Sequence, residues 1–285
     1  MISVADLVLE VDHLRKSYPG RGTEVVAVDD LSFTLGRGRS LAIVGESGSG
    51  KTTVARCLLG LERPSAGRVS VCRRERELGR VSLRERRQRA KEIQMVFQDP
   101  YGSLNPRDSI GTTLRRAIAL RDDRPIRSVE IGEVTELLSA VELAAGRVDA
   151  LPRDLSGGQR QRVAIARAIA SGAEVLVLDE AVAALDVSVQ AQVLNVLDDL
   201  RRSAGVSYLF ISHDLAVVRQ VCDDVMVMER GRIVEQGPAD DVLSAPSHSY
   251  TRRLLDAVPR PGWRPGIPTS PLSVEPADLQ EEITS

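Results

Sequence analysis

The apolar run SLAIVG at residues 40–45 passes directly into GESGSGKTT at 45–53, and a helical pattern then continues to Leu61. No other feature restricts the fold as tightly. A short continuous apolar run is the signature of a strand buried on both faces. The glycines let the backbone curl through conformations that other residues avoid. Strand, tight loop and helix in that order build parallel sheets covered by helices. The spacing also matches G-x-x-x-x-G-K-[ST] in full. In such a loop successive backbone N–H groups point inward at phosphate oxygens, and the following helix start adds partial positive charge. Gly45, Ser47, Gly48, Ser49 and Gly50 then form a cradle that Thr52 and Thr53 extend into the helix. Lys51 is placed to bridge outer phosphates and Thr52 to ligate Mg²⁺. Of 38 basic residues only Lys16, Lys51 and Lys91 are lysine, so a lysine at this point of an arginine-rich chain has a specific purpose.

Beyond the loop, residues 6–12 and 25–35 read as strands around a turn at YPGRGTE, and GRVSV reads as an edge strand. Residues 73–91 hold nine basic and three acidic residues without aromatics, which predicts a solvated helix or loop. IQMVF at 93–97 is the next strand, and 109–145 has helical spacing throughout. A helix at about 156–170, a strand at 174–180, a helix at about 188–203, the strand SYLFIS and a helix from 214 follow. DVMVMERGRIVEQG reads as a strand pair turning at Gly231, and the last 27 residues carry six of the 14 prolines. The expected class is α/β: a P-loop NTPase core with a mainly parallel sheet, an antiparallel β subdomain and an inserted helical subdomain.

Two further features carry chemistry. The apolar strand EVLVLDE ends in Asp179 and Glu180. Beside a phosphate loop, Asp179 is placed to hold Mg²⁺ and Glu180 to orient or deprotonate an attacking water. In LSGGQ, residues 155–159, Ser156, Gly157 and Gly158 begin a helix and form a second possible anion site. An N-cap alone explains that local sequence, but not two phosphate-binding helix starts in one chain.

Bulk properties exclude other classes. A net charge of -2 and 3% aromatics give no nucleic-acid footprint. Cys57, Cys72 and Cys222 are too widely spaced for a zinc site or a disulfide framework. The first residues do not form a signal peptide, and no run of 18 apolar residues predicts a membrane span.

In combination these motifs resemble the ABC-type ATPases over roughly residues 5–258. GESGSGKTT is similar to the Walker A, MVFQDP to the Q-loop with Gln98, and LSGGQ, with Gln159, to the signature. VLVLDE is similar to the Walker B, AALD to the D-loop with Asp186, and ISHD to the switch region with His213. The resemblance implies ATP and Mg²⁺ as ligands, with Thr52, Gln98 and Asp179 around the metal and Glu180, His213 and Gln98 in catalysis. Tyr18 stands where the family places an aromatic on adenine. Two cassettes would meet head to tail, each phosphate loop facing the other's signature.

FQDPYGSLNPR and HSYTRRLLDAVPRP further resemble the oligopeptide/dipeptide importer ATPases, a group that includes nickel and metallophore importers. Ala181, in place of the proline more common in peptide importers, leaves these cargoes open. The implied partners are transmembrane permease subunits, a second ATPase subunit, identical or not, and an extracytoplasmic substrate-binding protein. The implied location is the cytoplasmic face of the membrane. The implied division is a nucleotide-binding core at 1–97 and 166–240, a helical and signature subdomain at 98–165, an importer-group extension at 241–258 and a flexible tail at 259–285. A soluble ABC ATPase without a transporter would be a fused pair or carry long coiled coils. A P-loop kinase or GTPase leaves the signature unexplained.

Overall fold

A computed structural model describes residues 6–20, 23–76, 81–98, 100–183 and 185–257; the proline-rich tail lies outside the described residues. In chain order the strands are β1 (Leu7–Pro19), β2 (Glu24–Gly36), β3 (Ser40–Val44), β4 (Ala66–Val71), β5 (Arg74–Glu75), β6 (Ile93–Val96), β7 (Val175–Asp179), β8 (Ser207–Ser212), β9 (Asp224–Glu229) and β10 (Arg232–Pro238). The helices are α1 (Lys51–Leu58), α2 (Leu83–Glu92), α3 (Pro100–Ser103), α4 (Ile110–Asp122), α5 (Ile131–Ala140), α6 (Gly157–Ala170), α7 (Val187–Ala204), α8 (Leu215–Val221), α9 (Ala239–Ser244) and α10 (Ser249–Asp256).

The strands form two sheets. One has the order β10-β9-β3-β8-β7-β6 and is parallel except for β10. The other, β2-β1-β4-β5, is antiparallel. Every residue of β3 is buried, and its side chains alternate between two cores. Ala42 and Val44 join α4, α6, α7 and α8 on one face; Leu41 and Ile43 join α1 and the antiparallel sheet on the other. Leu176 and Leu178 of β7 divide from Val175 and Val177 in the same way. This double burial explains why both strands read as continuous apolar runs rather than alternating ones.

Three local readings change. GRVSV is not an edge, because the two residues of β5 pair beyond β4. The stretch 73–91 is not simply solvated: Arg76 and Glu92 are buried and bonded at 2.7 Å, and Arg74 reaches the same carboxylate at 2.9 Å. Its α2 begins only at Leu83, where Ser82 accepts the Glu85 N–H at 3.1 Å. The helical pattern of 109–145 is broken at Asp123, which caps α4 at φ 50°, and Pro125 leads a short 3₁₀ turn before α5. Proline cannot continue a helix, so the RDDRP sequence held that signal.

Candidate functional site

The loop between β3 and α1 closes on itself. The Lys51 ammonium donates to the carbonyls of Gly45 and Glu46, both at 2.7 Å, and approaches Ser49 Oγ at 3.3 Å. Burial holds the Lys51 pKa below the ordinary lysine value, against the pull of Glu180, Asp179 and Glu46. Gly50 occupies the helix N-cap at φ 107°, and no side chain caps α1. The first-turn N–H groups of α1 therefore face the cleft without a side-chain acceptor, the arrangement an anion fills. A Cβ on Gly50 would lie 2.2 Å from the Ala27 carbonyl oxygen, so β2 packs against the loop backbone itself. The Ser49 carbonyl accepts the Gly231 N–H at 2.9 Å, which braces the loop on the β9–β10 turn.

A cleft of about 550 Å³ opens over this loop. Gly45, Ser47, Gly48, Gly50, Lys51, Thr52, Thr53, Gln98, Asp179, Glu180 and His213 all line it. Asp179 sits at the carboxyl end of β7, and its pKa is raised by burial and by the neighbouring Glu180, with Lys51 opposing. Glu180 adopts φ 48° while its N–H continues the sheet to the Ile211 carbonyl at 2.8 Å. A left-handed non-glycine residue is uncommon and costs energy, and it occurs at functional positions. Here it accompanies a side chain that meets His213 Nδ1 at 3.0 Å from its Oε1. Gln98 follows β6, and the fully buried Gln161 of α6 donates to the adjacent Phe97 carbonyl at 3.3 Å.

The remaining predicted residues gather elsewhere. Ser156 caps α6: its Oγ accepts the Gln159 N–H at 3.3 Å, and Gln159 Oε1 accepts the Ser156 N–H at 3.1 Å. Asp186 caps α7 by accepting from Val189 N at 2.9 Å and Ser188 Oγ at 2.8 Å, and those bonds hold its carboxyl below the usual range. A Cβ on Gly158 would meet Val189 Cγ1 at 2.1 Å, so the starts of α6 and α7 touch. Gly157 has open space beside it. None of Ser156, Gly157, Gly158, Gln159 or Asp186 lines the phosphate-loop cleft. Tyr18 does not line it either; the Lys16 ammonium lies 4.6 Å from its ring centroid. Ser49 lies behind the loop surface, buried beside Lys51.

Sequence reasoning did not find Ala27, Glu46, Ile211 and Leu254 in the cleft lining. It also gave no role to Tyr250, whose phenol oxygen accepts the Glu46 N–H at 3.0 Å. A larger cavity of about 850 Å³ lies away from this chemistry, around Leu61, Arg89, Met95, Phe97 and Arg167. Among the described residues no three His, Cys, Asp or Glu side chains cluster as a metal site, and no helix is long and apolar enough to cross a membrane.

Residues 28–183 match the ABC transporter family model, and residues 234–279 match the oligopeptide/dipeptide transporter C-terminal region. The oligopeptide transport ATP-binding protein OppF of Bacillus subtilis (strain 168) is 40% identical over 259 residues, 90% of this chain and 84% of its own. A peptide import ATP-binding protein of Brucella abortus (strain 2308) is 43% identical over 281 residues, covering 98% of this chain and 82% of that one. Among solved structures, cbiO1 from Clostridium perfringens, part of the ABC transporter complex cbiONQ, superposes with a TM-score of 0.72 at 26% identity, over 84% of this chain and 92% of that one. The ATP-binding cassette MJ0796, dimeric and bound to ADP and Pi after hydrolysis, superposes with a TM-score of 0.68 at 25% identity, over 81% and 98% of the two chains.

Proposed function

The chain belongs to the ABC transporter family as an ATP-binding, ATP-hydrolysing subunit, and we propose that it powers import of oligopeptides or dipeptides through partner permeases. The convergence of Lys51, Thr52, Gln98, Asp179, Glu180 and His213 on one cleft carries the mechanism. The match of its C-terminal region to oligopeptide/dipeptide transporters, with the names of its relatives, supports the cargo.

In this reading the phosphates of ATP lie on the loop and the uncapped start of α1. Lys51 turns its ammonium from the carbonyls of Gly45 and Glu46 toward the outer phosphates. Its lowered pKa and the raised pKa of Asp179 both reflect charges buried without adequate partners. A dianionic phosphate group for the first and a cation for the second supply them. The Thr52 hydroxyl, the Gln98 amide oxygen and the Asp179 carboxylate are all hard oxygen donors, which suits Mg²⁺ completed by phosphate and water. When bound, that ion neutralises charge developing on the transferred phosphoryl group. Glu180 accepts the proton of the attacking water, and His213 holds the carboxylate in place.

The separate grouping of Ser156, Gly157, Gly158, Gln159 and Asp186 fits a site finished by a second cassette. MJ0796 is dimeric, and a head-to-tail pairing of two copies of the present chain would bring one chain's α6 start over the other's phosphate loop. The core at 1–97 and 166–240 and the helical subdomain at 98–165 are joined by α6, which crosses residue 165 as one helix. Motion of the signature end therefore reaches Phe97 and Gln98 through Gln161. The larger cavity, with Phe97 44% and Leu61 67% exposed at its rim, suits a cytoplasmic segment of the permease. The subunit then sits peripherally on the inner membrane face, while a substrate-binding protein outside selects the cargo. Tyr18, outside the phosphate cleft, is the aromatic that stacks on adenine in this reading.

The test is uptake of labelled dipeptide and of nickel in a deletion strain carrying the wild-type chain or Lys51→Ala. Dipeptide uptake restored by wild type alone supports the reading. Restored nickel uptake with no effect on dipeptide would overturn the cargo.

A further inference from the structure

The described part of the oligopeptide/dipeptide C-terminal match, residues 234–257, folds back onto the phosphate loop. Glu235 of β10 accepts the backbone N–H groups of Ser247 at 2.7 Å and His248 at 3.1 Å, which fixes the approach to α10. His248 Nδ1 caps that helix by accepting the Tyr250 N–H at 3.2 Å. Tyr250 is 3% exposed, and its phenol oxygen accepts the Glu46 N–H across 204 residues of sequence. One turn further on, Leu254 lines the cleft.

The Glu46 N–H and the Gly45 carbonyl belong to one rigid peptide unit. Tyr250 holds its N–H end, while Lys51 holds its carbonyl end at 2.7 Å. When Lys51 turns to phosphate, the carbonyl end is released and the Tyr250 bond is the one of these two that still orients the plane. Without the phenol this peptide can rotate in the ATP-bound state, and the entry to the cradle loses its shape. Pre-organisation of this kind adds to affinity by reducing the ordering cost on binding.

We propose that Tyr250 is a positioning residue for the phosphate loop, so that the C-terminal region completes the ATP site rather than merely extending the chain. The proposal rests on the ATP-binding reading of the cleft. Tyr250→Phe keeps the ring and removes only the acceptor. In the full-length chain, Mg²⁺ and a fluorescent N-methylanthraniloyl-ATP should bind about fivefold more weakly, the loss expected for one neutral hydrogen bond. The KM for ATP should rise with kcat unchanged, and the Glu46 amide should exchange faster with solvent. Glu235→Ala, which frees the start of α10, should likewise speed Glu46 exchange. Wild-type affinity and unchanged Glu46 exchange in Tyr250→Phe would overturn the proposal, as would a lowered urea midpoint with KM unaltered. Failure of the wild-type chain itself to bind the nucleotide would instead overturn the ATP-site reading beneath it.

Discussion

Gly48 and Gly50 separate two physical demands that the phosphate loop makes. Both have left-handed backbones, at φ 84° and φ 107°. A Cβ on Gly48 would meet nothing within 4 Å, whereas a Cβ on Gly50 would lie 2.2 Å from the Ala27 carbonyl oxygen and 2.8 Å from Met228 Cε. Gly48→Ala therefore carries only the conformational penalty, about 1–2 kcal/mol for an L-residue there. Gly50→Ala adds crowding against backbone that cannot swing aside, about 1–3 kcal/mol more. The entropy that alanine removes from the unfolded chain, about 0.4–1 kcal/mol, is common to both variants and cancels in the comparison. Urea unfolding without nucleotide should place Gly50→Ala below Gly48→Ala by that crowding difference. Gly50→Ala should also lose MgATP affinity, because Lys51 follows it directly. Equal unfolding free energies would refute the claim that β2 presses on the loop.

Asp179 provides a pH-dependent test. Burial and Glu180 raise its folded-state pKa, so its ionisation opposes folding. That cost is absent below the unfolded-state value near pH ~4 and grows as pH rises through the raised folded value. Asp179→Asn should raise the urea midpoint of the nucleotide-free protein at pH 7, converge with wild type as the pH falls toward ~4, and weaken MgATP binding. Ser156→Ala removes the α6 cap and should cost about 1 kcal/mol of stability. It should also impair steady-state turnover more than ATP binding by the isolated chain; equal losses in both would count against completion of the site by a second cassette. Lys51→Ala should abolish nucleotide binding in an equilibrium titration, and retained affinity would remove the lysine from the site.

What was legible in the sequence was local. β3, its loop and α1 are contiguous, and their pattern follows from burial on two faces and from the glycine conformations the turn needs. Asp179 and His213 could be placed because each ends or follows a buried strand of the same parallel sheet, whose carboxyl ends share one edge. Contacts across long separations were hidden. Tyr250 reaches Glu46 over 204 residues, and HSYTRR gives no sign of where its phenol goes. Arg76 read as part of a solvated charged stretch because composition cannot reveal that it is buried against Glu92 at the end of α2. Ser156 and Asp186 read as site residues but first serve as helix caps, a role the same side chains fill without any ligand. Ala181, whose place in the motif had left the cargo open, is a buried turn residue behind Glu180, away from the cleft lining.

The most direct measurement follows radiolabelled ATP on the full-length wild-type chain and on Glu180→Gln. Wild type should bind MgATP and release labelled phosphate. Glu180→Gln should bind with comparable affinity and retain uncleaved ATP, with turnover lowered about 10²–10⁴-fold, as expected for loss of a general base. Phosphate release by Glu180→Gln at the wild-type rate would contradict the assignment of this cleft's chemistry to Glu180.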